Sequence, residues 1–298
     1  MVRFTHILCP VDGSAFATRA LRHAAAFARE YGAALTVLTV RPTMPALGIW
    51  AAPNLMLPPV LPDDRERTFA AFQTFAQDTT GLPDVRVLLQ DGPVVGEILR
   101  EAREWPADLI VMGTRGASGF ERFILGSVTE KVLRRAAVPV LTIPRDSIEA
   151  PDLAFKTVLC AFDRSDASAR ALDYAVMIAR ESGARVVLAH IVEQFLNEDP
   201  QFARHFDNRD CFRAAEPELR AWYAARVPPE ARAACDVELE QRCGKASTEL
   251  LAIARERQAK LIAVGTASTA AMFGSTAHTI VRSADVPVLV VPPPEEPR

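Results

Sequence analysis

Short, almost unbroken apolar runs alternate along this chain with longer stretches in which apolar residues recur every three or four positions. In the first half the runs fall at 5–11, 34–40, 84–90, 107–112 and 138–143, rich in Val, Ile and Leu. Their length and composition predict strands. The stretches between them, at about 15–31, 63–79, 94–105 and 126–136, read as helices. In the first of these Ala17, Leu21, Ala24, Ala25 and Ala28 form one apolar stripe, and Ser14 stands where an N-cap belongs. Strands that are apolar throughout, rather than on alternate positions, belong to a sheet covered on both faces. Alternation of strand and helix makes that sheet parallel, with right-handed crossovers. The expected fold class is α/β, doubly wound, with ligands received beyond the carboxyl ends of the strands. The loops after the first strand (Asp12–Ser14) and after the fourth (Gly113–Leu125) are therefore the places to look for chemistry.

The pattern occurs twice. His6-Ile7-Leu8-Cys9-Pro10-Val11-Asp12-Gly13-Ser14 aligns with Thr157-Val158-Leu159-Cys160-Ala161-Phe162-Asp163-Arg164-Ser165, an offset of 151. Leu109–Thr114 aligns with Leu261–Thr266 at an offset of 152, and Val138-Pro139-Val140-Leu141 with Val286-Pro287-Val288-Leu289 at 148. The halves stay in register except for a four-residue deletion after Gly265. Such a period is far too long for a solenoid, so each repeat is a whole domain. Five-stranded sheets are expected over 1–146 and 155–293, with the boundary in the Pro- and Asp-containing stretch near Arg145–Phe155.

Composition narrows the function classes. At 298 residues, 49% hydrophobic and 24% charged, the chain is ordinary for a soluble globular protein of two domains. A net charge of −3 supplies no basic field for nucleic acid or an anionic membrane. The one long uncharged stretch, Pro42 to Pro62, contains six prolines and reads as a loop, not a membrane helix. Five cysteines, odd in number and without a C-x-x-C pair, imply neither disulfides nor zinc. The N-terminus runs straight into a strand, so no signal peptide is expected and the cytoplasm is the expected compartment.

The segment after the fourth strand reads Gly113-Thr114-Arg115-Gly116, then nine residues, then Gly126-Ser127-Val128-Thr129. Gly113 and Gly116 allow close backbone approach, so that N–H groups can turn inward. Gly126-Ser127 opens a helix, whose free N–H groups and positive dipole end favour an anion. Ser127 and Thr129 add hydroxyl donors, and Arg115 and Lys131 lie near enough to offset phosphate charge. Each glycine alone is equally a turn residue, with Ser127 as an N-cap. Taken together, the spacing points to phosphate binding.

G-x-x-G-x9-G-[ST], met by Gly113, Gly116, Gly126 and Ser127, resembles the nucleotide-binding signature of the universal stress protein family. The likeness extends to Val11-Asp12-Gly13-Ser14 and Val138-Pro139-Val140-Leu141 and covers nearly the whole chain, twice. It implies Rossmann-like sheets of strand order 3-2-1-4-5 and a stress-response protein binding ATP, or AMP or ADP, with Mg²⁺ as a companion. It also implies roles. Asp12 lies by adenosine and the Val40 backbone lines the adenine pocket. Gly113 and Gly116 pack against ribose and phosphates, while Gly126, Ser127, Val128 and Thr129 hold the phosphates. Pro10, Ser14, Met112 and Arg115 complete the candidate site. Asp12 is equally readable as a turn residue capping local N–H groups, and Val40 as a plain strand end. Family members dimerise through the last strand, so two halves in one chain are expected to pair internally as a pseudo-dimer, with a homodimer of chains as a further possibility.

The second half departs from the signature. Its loop runs Gly265-Thr266-Ala267-Ser268, then only five residues before Gly274-Ser275. Ser268 stands in place of the second glycine, and the shorter loop reaches less far around a triphosphate. No ATP is expected there. Three functions remain open: a nucleotide-binding regulator without catalysis, a weak ATPase, or a nucleotide-free interaction scaffold whose second half takes another ligand. Neither a G-x-x-x-x-G-K-[ST] loop nor a cluster pairing His with Asp or Cys favours the enzyme.

Overall fold

In the computed structural model, residues 3–42, 62–114, 125–145, 147, 155–193, 217, 219–227, 235–266 and 274–294 are described. The first half contains β1 (His6–Pro10), α1 (Ala15–Tyr31), β2 (Ala34–Arg41), α2 (Pro62–Thr80), β3 (Arg86–Asp91), α3 (Val94–Glu104), β4 (Leu109–Gly113), α4 (Ser127–Arg135) and β5 (Val140–Ile143). The second contains β6 (Thr157–Phe162), α5 (Asp166–Ser182), β7 (Arg185–Val192), β8 (Val237–Cys243), α6 (Ala246–Glu256), β9 (Leu261–Gly265), α7 (Ser275–Ser283) and β10 (Val288–Val291). Residues 219–226 are helical as well.

Local sequence explains the element ends. Ser14 accepts a hydrogen bond from the Ala17 N–H at 3.1 Å and starts α1, and Ser165 does the same for α5 through Ser168. Gly32 and Gly183, at φ 61° and 64°, stop both helices in the left-handed conformation. α1 turns ten buried residues inward, most of them alanines, which lets it lie close on the sheet.

The ten described strands form one sheet, in the order β3-β2-β1-β4-β5-β10-β9-β6-β7-β8. Each half thus has the expected 3-2-1-4-5 order, and every pairing within a half is parallel. The halves meet at the one antiparallel pair, β5 with β10, in register Leu141↔Leu289. The Thr142 hydroxyl donates to the Val288 carbonyl across this seam at 3.2 Å. One apolar layer, under α1, α2, α5 and 219–226, runs through both halves. It includes Phe4 stacked on Tyr174 at 5.7 Å and Phe27 beside Phe155 at 5.9 Å. The opposite layer lies under α3, α4, α6 and α7. The internal pseudo-dimer is therefore a continuous sheet with a shared core. Because β5 and β10 run antiparallel, the carboxyl ends of the two sets of strands lie at opposite edges.

Candidate functional site

β1 ends at Pro10 while its neighbours β2 and β4 continue to Arg41 and Gly113. This splay at the carboxyl edge opens a cleft of about 330 Å³, within the ordinary range for small-molecule sites. Its walls differ in chemistry. Pro10, Val11, Leu38, Val40, Pro42, Val94, Ile98 and Met112 make an apolar slot; Asp12, Gly113 and Gly126–Thr129 make a polar end.

The polar end is built from backbone. Gly126 is the N-cap of α4 and makes no side-chain cap, so the first-turn N–H groups of α4 face the cleft without a capping side chain. This corrects the reading of Ser127 as a cap: it is the first helical residue. The Gly126 N–H donates to the Thr114 carbonyl at 2.8 Å and pinches the base of the intervening loop. Thr129 differs from expectation too. Its hydroxyl is buried and donates to the Gly113 carbonyl at 2.9 Å, so its proton is committed to tying α4 to the end of β4.

Asp12 takes the turn role foreseen for it and stands at the cleft as well. One carboxylate oxygen accepts the Ser14 N–H at 3.0 Å, the turn role, while the residue also lines the cleft. Asp163 makes the same turn with Ser165 at 2.9 Å. Partial desolvation pushes the Asp163 carboxyl up, but hydrogen bonds from Ser165 and Ser168 outweigh it and hold it below the usual range.

Of the candidate residues, the structure brings together Pro10, Asp12, Val40, Met112, Gly113, Gly126, Ser127, Val128 and Thr129. Ser14 caps α1 and is not among the lining residues; Arg115 and Gly116 lie outside the described residues. The sequence reading missed the wall supplied by Val94 and Ile98 of α3, whose apolar spacing looked like ordinary core. Burial pushes the Cys9 and Cys160 thiols far above their usual range, so neither is a poised nucleophile. Among the described residues no group of three or more His, Cys, Asp or Glu is disposed to hold a metal ion. No described helix is long and apolar enough to cross a membrane.

Comparison with known proteins follows the same twofold pattern. The family model "Universal stress protein family" matches residues 3–144 and again 154–292. The chain belongs to the universal stress protein family. Over 298 residues it is 27% identical to a universal stress protein of Mycolicibacterium smegmatis, covering 96% of this chain and 97% of that one. A universal stress protein of Methanocaldococcus jannaschii is 32% identical over 151 residues, 49% of this chain and 85% of its own. A universal stress protein structure from Archaeoglobus fulgidus shares the fold, with TM-score 0.73 at 22% identity and 97% and 98% of the two chains covered. In this tandem member of the family, Gly113, Gly126 and Ser127 of the signature line one cleft.

Proposed function

We propose that the first half binds an adenine nucleotide, and that this protein is a nucleotide-binding regulator in a stress response rather than an enzyme. One observation carries the reading: an apolar slot and a helix N-terminus share a single cleft, at the edge where α/β sheets take their ligands. The slot fits a base. The polar end fits phosphates, which would rest on the N–H groups of Ser127 to Thr129 and on the positive end of α4.

Strand geometry supports adenine in particular. Even-numbered residues of β2 bond toward β1: the Ala34 N–H donates to Thr5, and Leu38 accepts from Val11 at 2.8 Å. Arg41, odd-numbered, accepts from Gly92 on the other side. The next even position is Val40, where β1 has already ended. Its N–H and C=O thus face the slot as an adjacent donor and acceptor. Adenine offers the complement, a ring-nitrogen acceptor beside an amino donor. Guanine offers the reverse order on the same edge.

Asp12 is the one ionisable side chain among the described lining residues, and its carboxylate already serves the local turn. This supports a binder over an enzyme, since general acid–base chemistry needs a group free to move a proton. An Mg²⁺ ion accompanying ATP would be held chiefly by phosphate oxygens and water. The deciding experiment is to denature freshly purified protein and identify released small molecules by mass spectrometry, followed by titration with ATP, AMP and GTP. About one adenine nucleotide per chain, or ATP binding well ahead of GTP, supports the reading. Neither carry-over nor adenine binding would refute it.

A further inference from the structure

The second half has put a different set of side chains at its own carboxyl edge. Phe162, His190 and Gln241 are register neighbours across β6, β7 and β8. All three face the layer beneath α5 and 219–226, as the alternation with Cys160, Leu188 and Leu239 requires. Their counterparts in the first half are Val11, Thr39 and Leu89.

Gln241 is the informative member. Both its amide nitrogen and its amide oxygen are buried, and neither has a hydrogen-bond partner. Native proteins rarely leave such groups unmatched, since each one costs stability. The first half shows that leucine serves at this position. Next to Gln241 in register stands His190, and next to that Phe162. Trp222 lies over Phe162 with ring centroids 4.0 Å apart, and His190 lies 6.0 Å from Phe162. The Phe162 carbonyl sits 2.8 Å from His190 Nδ1. A carbonyl only accepts, so Nδ1 carries a proton.

We infer that the second half is a separate binding site for an uncharged planar heterocycle bearing an amide edge, such as a nucleobase or nucleoside without phosphate, read by the Gln241 carboxamide beside His190, Phe162 and Trp222. A carboxamide and a ring amide pair donor to acceptor twice, and the aromatic wall supplies the stacking face. His190 and Gln241 are half-buried at the sheet edge, so a side-chain rotation of Gln241 toward His190 meets the ligand without backbone movement. The site lies at the edge opposite the first cleft and is independent of it.

The test titrates the full-length chain calorimetrically with uridine, inosine and nicotinamide, in wild type and in Gln241→Leu. Binding of at least one probe, weakened tenfold or more by Gln241→Leu with ATP binding unchanged, supports the assignment. Trp222→Leu is the second variant and should weaken the same probe. Absence of binding by all three probes overturns it. So does a Gln241→Leu protein that melts higher and keeps any probe affinity, which would make the amide a packing defect. ATP binding, read in the same samples, reports the first half separately.

Discussion

The two halves share a fold and a turn, yet only one keeps the full signature loop. Asp12 and Asp163 make the same turn with Ser14 and Ser165. The aspartate therefore belongs to the architecture, and its presence says little about a ligand. What separates the halves lies around the start of the last helix. Thr129 ties α4 to the Gly113 carbonyl, whereas the corresponding residue of α7 is Ala277, buried and without a hydroxyl. Val11, beside the first cleft, becomes Phe162, covered by Trp222. The lesson is that a duplicated fold keeps what the backbone needs and frees what only a ligand needed.

The sharpest way to break this contrast is to place a carboxylate at each helix start. Gly126→Glu should weaken ATP binding more than a hundredfold by calorimetry, through repulsion and obstruction at the phosphate end. Gly274→Glu should leave it unchanged; equal losses would mean that the halves share the ligand. Next in size is Gly265→Ala. A Cβ there would sit 2.4 Å from the backbone of Ala167 and Ser168, so destabilisation of about 2–3 kcal/mol is expected in urea unfolding. A neutral result would show that α5 shifts easily over this strand end.

Smaller effects refine the comparison. Thr129→Val removes the tie and should cost about 1 kcal/mol of nucleotide binding, about fivefold. An unchanged affinity would mean that α4 is held elsewhere. Arg164 sits at φ 69° where the first half has Gly13 at φ 77°. Arg164→Gly should therefore stabilise by about 0.5–1 kcal/mol, and Gly13→Arg should do the opposite. Last, the Asp163 carboxyl lies below its ordinary value, so its contribution is present above about pH 4 and fades as pH falls through its folded value. Asp163→Asn should flatten that acid limb slightly; an identical acid limb would assign the loss to other carboxylates.

Much of this was legible in the sequence, for reasons that particular residues show. Continuous runs such as Leu109–Met112 announce strands covered on both faces, and the repeat fixed the domain count. Gly113 and Gly126 were legible because their spacing follows the right strand. Val94 and Ile98 were not, since the wall of a cleft and the wall of a core demand the same apolar residue at the same helical spacing. Nor was the Thr129 tie, because a hydroxyl type does not say which way it donates. The Phe162, His190 and Gln241 row escaped for a different reason. Its members lie on three strands far apart in sequence, and only their register makes them neighbours.

The seam between the halves also has a consequence in time. β5 ends at Ile143, and its partner β10, the last of the described strands, begins only at Val288. A ribosome adding about 5–20 residues per second needs roughly seven to thirty seconds to make that stretch. Throughout it, a folded first half carries an apolar strand with one side unpaired, the condition under which nascent chains join one another. Closure of the sheet thus waits until the second half has been made, and crowded polysomes are where this protein is most exposed to pairing with the wrong copy.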